Sequence, residues 1–322
     1  MHKIGSLGEN ELVKSDAVFR DYATNVREAD ADFLVTNQSR NIWSVRRRLV
    51  GTTMLQFATV GAGTIADGVM PQGGKLVFLM QSTSADGVYL NGTRLPAHGI
   101  AILAPGSDFI FVNQLPLKWL SFSVELDRLP ARVISRFDRL VELRAPTLFG
   151  AAEDRFAELI HVAADRASLQ SRTSGGRSIY VPADGHAEIF DALTTAIESS
   201  DTDRCRHEPD ERHHYYAIVR RALTGIPIGE KLHADDLCRS IGVTERTLQR
   251  AFQKILRMPP LRYLKLRQLN QVYAALCGAD ARGQLVTDIL TKHGVTELGR
   301  FAGEYCALFG EQPSQTMRRS RN

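Results

Sequence analysis

The chain is poor in cysteine, and the few it has are badly placed for chemistry. Cys205, Cys238, Cys277 and Cys306 all lie beyond residue 204. They show neither CxxC spacing nor neighbouring His pairs, which argues against a zinc site and makes reduced, structural thiols the expectation. A DNA-modifying enzyme with a nucleophilic Cys outside a reader domain is disfavoured, because residues 1–204 hold no Cys. Ser-His-Asp, P-loop and HExxH patterns are missing too, so the expectation is no enzyme, and no haem, flavin or metal motif calls for a cofactor. No apolar run approaches the roughly 18–20 residues that span a bilayer. The start, MHKIGSLGENEL, lacks the apolar core of a secretory signal, so a cytoplasmic location with no membrane partner is expected.

What is present suits two domains. The 322 residues are 43% hydrophobic, enough for substantial cores. The net charge of +4 conceals an asymmetry. Residues 211–322 hold 18 Lys/Arg against 10 Asp/Glu, whereas residues 1–210 hold 22 against 26. A basic C-terminal block suits a nucleic-acid partner, although a solvated basic face would look the same.

From Trp43 to Glu125 short apolar runs alternate with Gly, Pro and Asn: 54–60, 75–81, 100–104, 108–113 and 118–126. Such spacing predicts an antiparallel sandwich or barrel, and the stretch around Leu90–Phe111 resembles a cupin-like barrel. His98 has no partner at metal-ligand spacing, so no metal is expected and a barrel that binds a small molecule is preferred over an enzymatic one. A short helix is expected around Asp16–Thr24. Residues 156–169 and 186–199 carry helical periodicity with a flexible loop at 171–178 between them, which suits packing on the barrel or a homodimer seam. Arg46, Arg47 and Arg48, ahead of the first strong strand, and Arg132 with Arg136, are low-ranking candidates for holding an anionic effector such as a cyclic dinucleotide. A solvated strand edge is the commoner meaning of such a run. The polar stretch 201–211, broken by Pro209, reads as a linker.

The C-terminal part contains one pattern twice. LHADDLCRSIGVTERTLQRAF (232–252) and VTDILTKHGVTELGRFAGEY (286–305) each run from a short amphipathic helix through a Gly and an apolar residue into a polar helix. Gly242 and Gly294 sit where a left-handed backbone turns the chain, and Thr244 and Thr296 are placed to cap the second helices. A long helix from Pro259 to Leu276 joins the units, with Pro tolerated in its first turn. Gly310, Pro313 and Ser314 then close the domain before a basic tail, 317–322, suited to phosphate contact or to disorder. Tandem helix-turn-helix units predict a reader of double-stranded DNA. Arg246, Thr247, Gln249 and Arg250 are the leading base-contact candidates, because Arg can hold guanine bidentately and Gln can pair with adenine. Thr296, Glu297 and Arg300 follow in the second unit, with Glu able to accept from cytosine.

The wording IGVTERTLQRAF (241–252), PPLRYLKLRQL (259–269), HGVTELGRFAGEY (293–305) and FGEQPS (309–314) resembles the AraC/XylS family of bacterial transcription regulators over about residues 212–319. Within it, LGRFAGEYCALF (298–309) is similar to regulators of the ethanolamine-utilisation type. The resemblance implies a ligand-responsive activator whose two recognition helices enter successive major grooves, with RNA polymerase as a further partner. It also implies an N-terminal effector or dimerisation domain, often cupin-like. The expected plan is therefore an α+β chain with a cupin-like antiparallel β barrel at about 43–126 and helices at 129–200. A linker at 201–211 leads to an all-α DNA-binding domain, 212–322. Three positions depart from the family pattern: Gln268 stands where Arg is usual, Leu290 where a small residue is usual, and Val295 where Phe is usual. The last two exchange volume across one crossing, which either compensates or tilts the second unit.

Overall fold

The computed structural model describes residues 19–38, 42–50, 53–73, 75–81, 87–95, 100–125, 127, 129–135, 147–149, 210–225, 234–279 and 284–319. The expected helices at 156–169 and 186–199, the loop at 171–178, residues 201–209 of the expected linker, His98 and Arg136 lie outside these residues, whereas Asp210 and Glu211, expected in the linker, are helical.

After a helix α1 (Phe19–Asn25), eleven strands among the described residues form two antiparallel sheets. They are β1 (Asp30–Val35), β2 (Ser44–Val50), β3 (Thr53–Val60), β4 (Thr64–Val69), β5 (Lys75–Gln81), β6 (Val88–Leu90), β7 (Thr93–Arg94), β8 (Ile100–Leu103), β9 (Asp108–Asn113), β10 (Leu117–Glu125) and β11 (Thr147–Phe149). One sheet has the order β1-β4-β9-β6-β7 and the other β11-β8-β5-β10-β3-β2. The five apolar runs read from the sequence are β3, β5, β8, β9 and β10. Among the described residues no strand pairing closes the two sheets into a barrel.

β2 differs from expectation. The arginine run does not precede the sheet but belongs to it, with Arg46, Arg47 and Arg48 opposite Phe57, Gln56 and Leu55 of β3. Backbone pairing to β3 holds it, and successive residues of a strand face opposite sides. Arg132 is exposed in a short helical turn at 131–135, away from that strand in sequence.

The C-terminal domain is helical: α2 (Asp210–Thr224), α3 (Ala234–Ile241), α4 (Glu245–Ile255), α5 (Pro260–Cys277), α6 (Val286–Lys292), α7 (Leu298–Phe309) and α8 (Pro313–Arg319). Helix α5 is buried on several sides, by Tyr263, Leu266, Leu269, Val272, Tyr273 and Leu276 among others. Tyr263 meets Phe252 of α4 edge-on at 5.7 Å, and Tyr273 stacks on Phe309 of α7 at 4.5 Å. Helix α8 occupies part of the expected tail. Arg319 in it donates to Glu311 (2.6 Å) and to the Tyr273 hydroxyl (3.2 Å), and Thr316 meets the Tyr305 hydroxyl at 2.8 Å. That arginine is engaged within the fold.

The two domains are joined by polar contacts to the five-stranded sheet. Asn270 of α5 accepts from the Val35 amide at 2.9 Å and donates to the Val35 carbonyl at 3.0 Å. Its amide thus stands where a neighbouring strand would pair with edge strand β1. Arg220 of α2 pairs with Asp67 of β4 and reaches Asp108 of β9 at 2.9 Å. Arg20 of α1 donates to the Cys277 carbonyl at 2.8 Å. The guanidinium of Arg257 lies 4.3 Å over the Tyr89 ring. Gly92, at the tip of the β6–β7 hairpin, packs against the end of α4: a Cβ there would come within 2.8 Å of Ile255 Cδ1. With φ at +81°, the position suits glycine on both counts.

Burial pushes the Asp67 carboxyl above its ordinary range, and Arg220 offsets this only in part. A carboxyl whose folded pKa is raised contributes full stability below its unfolded pKa, and loses that contribution as pH rises through the folded value. At neutral pH the ionised carboxylate is therefore a net cost at this position. Arg220→Ala leaves two carboxylates facing each other and should destabilise the chain by about 2 kcal/mol. Asp67→Asn should restore part of that loss at pH 7, and the restoration should fade as pH falls toward the ordinary carboxylate range, because the raised carboxyl takes up its proton before that range is reached. Thermal denaturation of the three variants measures this. Equal melting of Arg220→Ala and wild type contradicts it.

Candidate nucleic-acid interface

Each helix-turn-helix unit is held by its glycine. Gly242 and Gly294 both have φ of +70°, the left-handed conformation expected of them. In the first unit the amides of Gly242 and Val243 both bond the Cys238 carbonyl, at 2.9 and 3.1 Å, which closes α3. In the second, the Val295 amide bonds the Leu290 carbonyl at 3.1 Å. Leu290 and Val295 are both buried, as is Phe301, so the altered residue sizes are accommodated in one core. Gln268, the other departure, donates to the His293 carbonyl at 2.9 Å and ties α5 to that turn.

The two recognition helices begin differently. Thr244 is the N-cap of α4, and its hydroxyl accepts from the Thr247 amide at 3.2 Å. The cap of α7 is Glu297, which makes no side-chain capping bond. The expected cap at Thr296 is thus not formed. This helix starts one residue later relative to its glycine, and Thr296 lies outside it.

Along α4, Leu248, Ala251, Phe252 and Ile255 face inward at helical spacing. Glu245, Arg246, Gln249 and Arg250 are consequently exposed, with Thr247 half-buried. Gln249 donates to Glu245 at 2.9 Å, and the Thr247 hydroxyl meets that of Thr244 at 2.9 Å. Arg246 and Arg250 extend from the same face. On α7 the pattern is Phe301, Tyr305, Leu308 and Phe309 inward. Thr296, Glu297 and Arg300 are exposed together at the start of that helix, on the rim of a groove with α5 that Lys265 and Glu304 also line. Arg300 is the one engaged: its Nε donates to Glu304 at 3.1 Å, and Glu297 is 3.7 Å from Nη1. Of the seven residues expected from sequence to contact bases, six are exposed and Thr247 is half-buried, and all lie at or near the N-terminal halves of the two recognition helices. Lys265 and Glu304 were missed, because a Lys on the linking helix and a Glu four residues after an Arg read as ordinary solvated charges.

A second concavity lies between the sheets, an apolar space of about 70 Å³ walled by Tyr22, Phe33, Ala66, Leu90, Phe109 and Trp119 among others. Its polar neighbours are satisfied. Trp119 donates to the Tyr22 hydroxyl at 3.0 Å, and Gln56 exchanges two bonds of 2.9 Å with the backbone of Arg27. Strand alternation sets this cavity back to back with the domain contacts. Ala66 faces the cavity while Asp67 holds Arg220; Phe109 faces it while Asp108 does the same; Leu90 faces it while Tyr89 lies under Arg257.

The thiols of Cys238 and Cys277 are not activated. Burial pushes Cys277 up, as it does Cys238, where Asp235 and Glu245 raise it further. A nucleophilic cysteine needs the opposite shift.

A family profile described as a helix-turn-helix domain matches residues 237–319. A probable thc operon regulatory protein of Rhodococcus erythropolis is 37% identical over 89 residues, which are 28% of this chain and 27% of that protein. The XylDLEGF operon transcriptional activator of Pseudomonas putida is 34% identical over 79 residues, 24% of this chain and 25% of that one. The chain thus matches about a quarter of the length of these curated relatives. Among solved structures, the AraC-like transcriptional activator CuxR is 11% identical with a TM-score of 0.39, covering 83% of this chain and 96% of that one. An AraC-type DNA-binding regulator from Chromobacterium violaceum is 22% identical with a TM-score of 0.30, over 34% of this chain and 96% of that one. ToxT from Vibrio cholerae is 10% identical with a TM-score of 0.31, over 91% and 98%. The C-terminal domain is a double helix-turn-helix module. Its residues 237–319 match the helix-turn-helix family, and part of it is similar to the two operon regulators.

Thr244→Ala should cost about 1 kcal/mol of stability by removing a formed N-cap. Thr296→Ala, with no cap to lose, should change stability by less than about 0.5 kcal/mol. Chemical denaturation of both variants checks the pair, and equal losses would contradict the assignment of the second helix start.

Proposed function

We propose that the chain is a sequence-specific, DNA-binding transcriptional regulator that reads the major groove through α4 and α7 and responds to a small apolar effector. The observation that carries the first part is the pair of recognition helices, each inward-packed by its own core and exposing Arg and Thr side chains at its start. Arg246, Thr247, Gln249 and Arg250 read one element of the operator; Thr296, Glu297 and Arg300 read the other. On one face of B-DNA those elements lie one helical turn apart, about 34 Å. The matched relatives named as operon regulators support a role in transcription, with RNA polymerase as partner, inside a cytoplasm. The excess of positive charge in residues 211–322 supplies sequence-independent attraction to phosphate.

The response to an effector rests on the cavity between the sheets, in the domain of residues 1–200, whose cupin-like character belongs to this same reading. That cavity is smaller than the roughly 150 Å³ that accepts benzene. A metabolite entering it must therefore move its walls. The sheet that forms one wall carries Asp67, Asp108, Tyr89 and Gly92 on its other side, all in contact with the reader. Binding would then shift the docking of the reader through a single layer of strands. ToxT, one of the similar structures, has been solved with an unsaturated fatty acid bound. The satisfied polar groups and small volume of the cavity favour a second reading, a constitutive DNA binder whose N-terminal domain serves only for assembly, as a homodimer. Calorimetry on the full chain that shows no heat with apolar metabolite-sized compounds supports that second reading.

Selection from a random DNA pool tests the main proposal. The expected winner has two short elements about one turn apart, bound with a steep inverse dependence on salt. Arg250→Ala should weaken that complex by about tenfold or more while changing non-specific binding by less than about twofold. No enrichment, or equal loss on both DNAs, contradicts the proposal.

A further inference from the structure

Lys265 and Glu304 have no assigned role in the reading above, and they meet at the second recognition helix. Lys265 comes from the linking helix α5 and Glu304 from the second turn of α7. The Lys265 ammonium is 2.5 Å from Glu304 Oε2 and 5.1 Å from the centre of the Phe301 ring. The other oxygen, Oε1, accepts from Arg300 Nε at 3.1 Å. Glu304 is half-buried while Arg300 is 73% exposed. Burial alone would raise the Glu304 carboxyl, but Lys265 and Arg300 together lower it, so the carboxylate is charged throughout the neutral range.

An exposed arginine alone on a helix has rotamer freedom that it loses on gripping a base. Here one edge of the guanidinium is already held. Glu297 at 3.7 Å is too far from Nη1 for a hydrogen bond, so the pair of Nη groups stays available for a second, outward contact. The first unit has no such device, since no partner holds Arg246 or Arg250 among the described residues. A pairing of Arg300 and Glu304 alone would be an ordinary i,i+4 contact. The cation brought by another helix to the far oxygen makes it a relay. It pairs the partly exposed Lys265 charge with a carboxylate of the protein, where a lysine on such a groove would otherwise be free for phosphate.

We propose that Lys265 and Glu304 are positioning residues that preset Arg300 to read one guanine, making that arginine the specificity determinant of the second unit. This rests on the proposal that the chain reads DNA. The O6 and N7 atoms of guanine present two acceptors side by side in the major groove, which match the two free Nη groups. Presetting places the gain in discrimination rather than in general affinity, because a positioned Arg meets a wrong base with its donors unpaired.

The test uses the full chain with a duplex carrying the selected site and every single-base variant of it. Wild type should prefer guanine at one position of the second element by about tenfold. Glu304→Leu and Lys265→Met should reduce that preference to under about threefold, and Lys265→Arg should restore it. Preferences in the first element should stay unchanged in all three. Adding Arg300→Ala to Glu304→Leu should remove no further preference at that position. Melting curves identify any variant that fails to fold, and the milder Lys265→Met then carries the comparison. If both variants lose affinity uniformly over all duplexes, the relay merely ties α5 to α7 and the inference is overturned. First-element preferences with none in the second overturn this inference alone. Absence of preference in both elements overturns the reading of the chain as a DNA reader.

Discussion

One side-chain amide holds the architecture together. Asn270 is buried in α5, between the cores of the two helix-turn-helix units, and it bonds both backbone groups of Val35 on the open edge of β1. A buried amide with unmet hydrogen bonds costs far more than a formed one gains. The contact therefore fixes register: the sheet cannot slide along α5 without orphaning polar groups on both sides. Around it, α5 supplies Tyr263 to the first unit and Tyr273 to the second, and Phe19 of the N-terminal domain lies 5.9 Å from that same Tyr273 ring. The spacing of the two readers and their position on the sheet are thus set by one helix.

Charge is distributed over this frame in a consistent way. Arg220 is used between domains and Arg319 pairs with Glu311 beside the second core, whereas Arg246 and Arg250 face outward. Only part of the basic excess of the C-terminal block is therefore on offer to phosphate or bases. The acidic partners are equally selective. Asp67 and Asp108 sit on the far side of strands that wall the cavity, so the electrostatic join and the apolar cavity share the same backbone.

The reader domain was the most legible part of the chain. Gly242 and Gly294 announce the turns, and the apolar spacing of Leu248, Phe252, Phe301 and Tyr305 defines inward faces that leave the candidate base readers outside. Thr296 misled because a Thr after Gly-Val looks the same whether the helix starts one residue after it, as at Thr244, or two. Pro313 was a helix-start signal, but the basic residues after it read as a tail. In the N-terminal domain, β4 passed unnoticed because Ala66, Asp67 and Gly68 are weak strand formers held by neighbours on both sides. The arginines of β2 hid a strand for a similar reason. The contact between Asn270 and Val35 spans 235 residues and leaves no local trace. Nor does the relay from Lys265 to Arg300, since charged pairs become specific only when another helix fixes them.

The most direct test of this account is hydroxyl-radical footprinting of the full chain on its selected site. A single rigid α5 between two readers predicts two protected patches on one face of the duplex, separated by about one helical turn. Inserting five base pairs between the elements, about half a turn, should abolish one patch. Two patches that persist whatever the spacing would contradict the account, because the readers would then move independently and α5 would not set their geometry.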